Sequence, residues 1–360
     1  TAINERTKRI MAYTTINKSS SFMNPKIYTG DGAASHAITG VGFQPDWVWL
    51  KNRSGADNNS LNDAVRGANK NLVSNTSNAE ATTTDQLMSF NSDGFTVGAS
   101  GSANTNGNNF VGWNWKANGT GSANTAGSIN STVSVNTTSG FSIVSYTGDG
   151  YAGATVGHGL GAIPKFIIVK KLSGADSWTT YHASLGATKK INFDTGAAGT
   201  QSDRWNDTSP TDTLFSIGTN GSVNASGATY IAYCFADVQG YQSMGSFIHN
   251  GASGGPAGPT KGGNFIYLGF RPALILIKNA SATANWLIQD IKRSPINVVD
   301  DCLFPDLNSA ESANYNINFL SNGFKLSGSG PVLGSTGNQV IYYAVGQSLV
   351  GTNNIPNNAF

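Results

Sequence analysis

The residues able to do chemistry are few and scattered. Four histidines are available, His36, His158, His182 and His249. His158 sits in Gly157-His-Gly-Leu-Gly161. Those glycines point to a loop with close backbone approach, because no strand-then-helix pattern surrounds them as a nucleotide site requires. His182 takes the column that Asp63 and Asp290 fill elsewhere in the chain, which reads as a polar rim position. Asp300 and Asp301 are adjacent and would point to opposite faces of a strand, the wrong arrangement for shared acid–base work. No Ser-His-Asp order, Cys-His pair or calcium loop is present. Cys234 and Cys302 have no paired spacing for a metal, and Cys234, between Tyr233 and Phe235, reads as a small buried hydrophobe. No catalytic residue, metal or cofactor is expected.

The best local constellation is Asp203-Arg204-Trp205-Asn206-Asp207. It combines one indole, two carboxylates and a guanidinium in a loop, the mix that holds sugars by ring stacking and hydrogen bonds. Trp205, Asp203, Asp207 and Arg204 are therefore ligand-contact candidates. The alternative is a structured loop in which Asp207 or Thr208 caps a turn before Pro210. The other six tryptophans fall on or beside apolar strands and are expected in the core.

What positions these residues is a repeat. Pro45, Pro164 and Pro272 each lead an apolar strand that reaches a lysine six residues later: Lys51, Lys170 and Lys278. Tyr28-Thr-Gly-Asp-Gly32 and Tyr146-Thr-Gly-Asp-Gly150 precede the first two, and Phe247-Ile-His-Asn-Gly251 the third. A period of about 110 residues exceeds that of solenoid repeats, so the unit is domain-sized. The runs Phe166–Val169 and Ala273–Ile277 are continuously apolar, as strands buried on both faces are. Trp47 and Trp49 share one face of theirs. The expected fold is all-β: three tandem β-sandwich (jelly-roll-like) repeats with an N-terminal arm. The boundaries are an anchoring arm over 1–22, repeats over 23–116, 140–237 and 238–347, and a C-terminal tail over 348–360. Residues 117–139, rich in Gly, Ser, Asn and Thr, read as a linker in which Ile129 and Val133 to Val135 lay down an edge strand. Short helical turns are expected in Asn62 to Leu72 and Asp306 to Ala313.

Composition narrows the function classes. Only 12% of residues are charged and the net charge is +2, which supplies no basic field for nucleic acid. No run of about 18 apolar residues exists, so no membrane span is expected. Many Gly and Asn residues suit a turn-rich β protein.

Beyond this, the wording of several segments resembles a repeat family of virion structural proteins from marine tailed bacteriophages. The likeness is carried by Met11-Ala-Tyr-Thr-Thr-Ile-Asn-Lys, Ile38-Thr-Gly-Val-Gly-Phe-Gln-Pro-Asp-Trp-Val-Trp49, Gly140-Phe-Ser-Ile-Val-Ser-Tyr-Thr-Gly-Asp-Gly150, Trp205-Asn-Asp-Thr-Ser-Pro-Thr211 and Leu349-Val-Gly-Thr-Asn-Asn-Ile-Pro356. It implies a non-enzymatic component of the outer surface of a phage particle, of a family found near tail-fibre genes. The expected partners are other virion proteins, a bacterial surface glycan or receptor, and further copies in a homo-oligomer, a trimer by preference. Host attachment as a tail-fibre or spike component ranks first. Capsid decoration or a head fibre held by the N-terminal arm stands beside it, with Arg6, Lys8 and Arg9 as anchoring candidates. A secreted bacterial surface adhesin or filament subunit is a third reading.

Overall fold

The computed structural model describes residues 14–194, 196–251, 262–327 and 330–349, and they form an all-β structure built from antiparallel sheets. One strand order occurs three times. An opening strand (Lys26–Thr29, Phe141–Thr147, Gln242–Ile248) lies beside the closing strand (Asn109–Trp115, Thr229–Ala236, Gln339–Gly346). The closing strand pairs in turn with the proline-led lysine strand (Trp47–Asn52, Pro164–Lys171, Pro272–Asn279), which pairs with the strand after it (Ser60–Asp63, Thr179–His182, Trp286–Asp290). Each of these sheets backs onto a second one, with fewer strands in units 1 and 2 and with shorter strands for the most part in unit 3: His36–Thr39 with Gly94–Val97 and Leu87–Asn91, Ala154–Gly157 with Leu214–Ile217, and Phe265–Tyr267 with Gly323–Leu326, Ser312–Leu320 and Val299–Cys302. We refer to the three sandwiches as units 1, 2 and 3.

The alternation of side chains along the lysine strands explains their unbroken apolar runs. Val48 and Leu50 face the second sheet of unit 1, Ile167 and Val169 that of unit 2, and Ile275 and Ile277 that of unit 3. The intervening residues Trp47, Trp49, Phe166, Ile168, Leu274 and Leu276 all enter one further core shared by the three units. A strand between two apolar layers must be apolar on both faces. Trp47 stacks on Tyr233 of unit 2 with ring centroids 4.3 Å apart, and Phe166 meets Tyr343 of unit 3 at 6.2 Å. Where the three lysine strands converge, rings and aliphatic chains leave a void of only about 10 Å³, without the polar partners that a bound water needs.

Several expectations change. In residues 117–139 the expected edge strand does form, as Ser131–Asn136, and what the linker reading lacked is its partner Ser122–Asn124: the two make a hairpin that pairs with the opening strand of unit 2 and covers its edge. Val133 and Ile129 are buried by this arrangement, and covering an edge removes unpaired backbone groups. The expected helical turns in 62–72 and 306–313 do not form; Asn62 and Asp63 end one strand and Lys70–Val73 is another. Among the described residues the α-helices are single turns, Gly101–Asn104, Ser202–Trp205 and Gly221–Asn224, beside one 3-10 turn at Ser19–Ser21. Among the described residues no helix is long and apolar enough to cross a membrane. The described part of the N-terminal arm is seated rather than projecting. Ile16 is 1% exposed in the shared core, Ser19 Oγ donates to Gln347 O at 3.1 Å, and Leu349 N donates to Asn17 O at 2.9 Å. Arg6, Lys8 and Arg9 lie outside the described residues.

Candidate functional site

The 203–207 loop is a structural latch rather than a sugar platform. Trp205 is 1% exposed and packs edge-on against Tyr181 within the core of unit 2. Arg204 is buried and its Nη1 donates to Thr179 Oγ1 and Ser222 Oγ. Asp203 accepts from Asn220 Nδ2 at 2.8 Å. Of the four candidates only Asp207 is exposed, at a backbone φ of 47°. Unit 1 explains the arrangement. Gly98 N donates to Gln86 O as Gly218 N donates to Arg204 O, and Ser100 N donates to Asp85 O as Asn220 N donates to Asp203 O. Asp85-Gln86-Leu87 and Asp203-Arg204-Trp205 are thus the same element. Gln86 Nε2 donates to Ser60 and Ser102 hydroxyls where Arg204 takes Thr179 and Ser222, and Leu87 fills the core where Trp205 does. The indole lies inside because its column is a core column.

The polar residues that the repeat does place together lie at the seams between units. The expected rim column, Asp63, His182 and Asp290, is buried, each residue 2% exposed or less. Each reaches the closing strand of the next unit around the ring. Asp63 accepts from Tyr233 Oη at 2.7 Å, His182 Nε2 lies 3.2 Å from Tyr342 O, and Asp290 accepts from Trp113 Nε1 at 2.9 Å. Arg66 and Arg293, three residues on, neutralise the two carboxylates, with Nε to Oδ2 distances of 2.5 and 2.6 Å. Burial pushes the His182 imidazole down to about 4, so it is neutral at pH 7.

The three lysines close the seams from the other side, and each crosses to the preceding unit. Lys51 Nζ donates to Asn308 O at 3.0 Å, Lys170 Nζ to Ser77 O at 3.0 Å and Lys278 Nζ to Asp194 O at 2.9 Å. Each also holds a carbonyl of its own loop: Asp57, Asp176 and Ala284. All three are fully buried, and burial lowers each ammonium to about 8. The residues fourteen positions after the prolines repeat the crossing. Asn59 Nδ2 donates to Leu307 O at 2.8 Å, Trp178 Nε1 to Val73 O at 2.9 Å and Trp286 Nε1 to Asn192 O at 2.8 Å. Each of these crossings runs unit 1 to 3, 2 to 1 and 3 to 2, and the Asp63, His182 and Asp290 contacts run the opposite way around, so the set is a closed head-to-tail ring with a pseudo-threefold axis. Sequence reasoning saw these columns recur and missed what they touch; a lysine at a fixed place in an apolar strand was the signal.

Near the axis, Asn75 and Ser77 of unit 1, Trp178 and Asp194 of unit 2 and Asp306 of unit 3 line a recess of about 250 Å³. Asp306 Oδ1 accepts from Trp286 N at 3.1 Å, while its buried Oδ2 has no partner. Burial raises this carboxyl to about 6. A carboxyl held above its unfolded value of about 4 keeps its proton longer in the fold, so stability is lost as pH rises from about 4 to 6 and stays lower above that. Asp306→Asn keeps the Oδ1 acceptor and removes the charge. It is expected to raise the unfolding free energy by about 1–2 kcal/mol at pH 8, with Lys278 nearby limiting the gain, and to change little at pH 4. Urea unfolding at both pH values checks this; an equal effect at both refutes the titration argument.

Among the described residues no group of three or more His, Cys, Asp or Glu side chains is placed to hold a metal. Both cysteines are free and buried. No curated protein and no solved structure matches the chain. A family model described as a domain of unknown function, DUF7483, matches residues 18–348 in one span that covers all three units, and the chain therefore belongs to that family.

Proposed function

We propose that this chain is a non-enzymatic structural protein of the outer surface of a bacteriophage particle, acting in host attachment as part of a tail fibre or spike. The observation that carries the reading is the ring itself. Three sandwiches locked through a common aromatic core make one block, with the buried polar groups spent on holding units together. Its loops and outer sheets are left for contact with other molecules, which is where binding residues of rigid scaffolds collect. The sparse charge suits a surface exposed to many non-partners. The resemblance of segments such as Ile38 to Trp49 to virion proteins supplies the particle. Capsid decoration is the second reading, and the contact of Asn17 and Ser20 with Leu349 and Ser348 favours it in one respect. That contact gathers both ends of the described chain at one place on the block, as a lattice clamp would need.

The threefold arrangement expected of a homotrimer is, on this reading, built within a single chain. Immunogold electron microscopy of intact particles, with an antibody against unit 3, tests location. Label on the tail or its fibres is the expected result, label over the head turns the assignment to decoration, and unlabelled particles refute the virion role. Light scattering of the purified chain tests assembly. A mass near 37.5 kDa is expected for a self-contained ring, and a threefold larger mass would restore the homotrimer.

A further inference from the structure

Unit 3 differs from its two counterparts in one exchanged pair of residues, and the exchange accompanies an open polar pocket. In units 1 and 2 the loop after the opening strand is plugged by an asparagine: Asn104 Oδ1 accepts from Asp31 N at 3.0 Å and Asn224 Oδ1 from Asp149 N at 2.9 Å. Gly30 and Gly148 leave room for that approach; a Cβ there would meet Thr105 O at 2.2 Å or Ala225 O at 2.6 Å. The backbone ladder fixes the matching residues of unit 3. Gly30 N bonds Asn108 O, Gly148 N bonds Ala228 O and His249 N bonds Asn338 O, while Asn104 N bonds Ser100 O, Asn224 N bonds Asn220 O and Gly334 N bonds Gly330 O. Thus His249 stands where the others have glycine, and Gly334 where they have asparagine.

Two side chains share the missing acceptor role: Asn264 Oδ1 accepts from Asn250 N, the counterpart of Asp31 N and Asp149 N, at 2.9 Å, and the imidazole takes the next N–H. His249 Nδ1 accepts from Gly251 N at 3.0 Å, which places the ring proton on Nε2 in the neutral form. Burial lowers the pKa of this histidine and keeps it neutral at pH 7. The residue is 2% exposed, yet Nε2 has no hydrogen-bond partner. A buried donor without a partner costs free energy that a ligand acceptor recovers. The same imidazole lines a cavity of about 560 Å³ with Asn279, Thr283, Ser335, Thr336 and Asn338. That size lies within the range of small-molecule sites. Among the described residues no charged side chain lines it, and a phosphate, carboxylate or ammonium ligand would be desolvated there without a counter-charge from them.

We propose that this pocket binds a neutral saccharide, whose hydroxyl groups meet the neighbouring amides and hydroxyls, and that the buried His249 Nε2–H gains a sugar oxygen as its acceptor when the lining shifts on binding. The pocket chemistry stands on its own residues, and only the sugar's source, a bacterial surface glycan, rests on the attachment reading. The test is saturation-transfer NMR on the full chain with glucose, galactose, N-acetylglucosamine and maltose, and galacturonate as the charged control. Transfer to at least one neutral sugar is expected. In His249→Phe and in Thr283→Met, which fills the exposed rim with an apolar chain, affinity should fall at least about tenfold. Thr283→Met keeps the test valid if His249→Phe fails to fold. Transfer to no neutral sugar, transfer to galacturonate alone, or binding unchanged in a folded variant overturns the site. Sugar binding at the pocket with unlabelled particles would remove the attachment reading alone, whereas tail label without sugar binding would remove the pocket alone.

Discussion

Asp290→Ala is expected to lower the unfolding free energy of the whole chain by about 3–5 kcal/mol, the cost of breaking a buried ion pair from one side. The Asp290 and Arg293 side chains are both fully buried, 2.6 Å apart. The carboxylate also accepts from Trp113 Nε1 of unit 1 and from the backbone N–H groups of Lys292 and Arg293. Removing it leaves the guanidinium with Glu311 as its remaining acidic partner and strands the indole N–H at a seam. Glu311 in turn pairs with Arg53 of unit 1 at 2.5 Å, so the damage spreads along the seam between units 3 and 1. Asp63→Ala should cost a similar amount, since Arg66 and Tyr233 depend on it in the same way. His182→Ala should cost only about 1–2 kcal/mol, because it removes two long neutral hydrogen bonds, to Tyr342 O and from Ser184 N, and no charge. Urea unfolding followed by tryptophan fluorescence measures all three. Equal losses at the three positions would show that the ion pairs contribute nothing special to the ring.

How much of this was legible follows from what a repeat can encode. Periodicity exposed the lysine strands and their strand character, because buried strands need apolar residues on both faces and Ala273 to Ile277 has them. It gave no hint of which surface buried the second face. Trp47 and Trp49 read the same way whether they meet a small sheet, a partner chain or another unit. Only long-range contacts such as Trp47 with Tyr233 decide that. The 203–207 loop failed for the opposite reason. Its residue types matched a binding chemistry, and the reading weighed types over column. Comparing Asp203-Arg204-Trp205 with Asp85-Gln86-Leu87 within the chain would have placed the indole in the core, since Leu87 has no other use there. The exchange of His249 and Gly334 was equally open to such a comparison, yet its meaning needed the ladder that fixes the register. The column of Asp63, His182 and Asp290 read as rim because full burial of such side chains is rare, and nothing in a sequence shows the partners waiting for them across a seam.

Trp47→Ala tests whether the shared core, rather than three separate ones, holds the molecule. The ring is 1% exposed and stands 4.4 Å from Trp115, 4.3 Å from Tyr233 and 5.8 Å from Phe141, centroid to centroid. Truncation removes contacts in two units at once and adds a large cavity beside the small void at the axis, an expected loss of about 3–5 kcal/mol. Trp47→Phe should cost much less, because the indole N–H has no partner to forfeit and most of the ring area stays. Trp205→Ala provides the contrast. It empties a site of similar burial, but one enclosed by unit 2 alone. Native-state hydrogen exchange separates the two, since it reports which segments open together. With Trp47→Ala, protection should fall in the closing strands of both units, Asn109–Trp115 and Thr229–Ala236, as well as in Phe141–Thr147. With Trp205→Ala the loss should stay within unit 2. If Trp47→Ala loosened only unit 1, the aromatic contacts across the seam would be proximity without energetic coupling, and the closed ring would have to be held by its buried lysines and ion pairs instead.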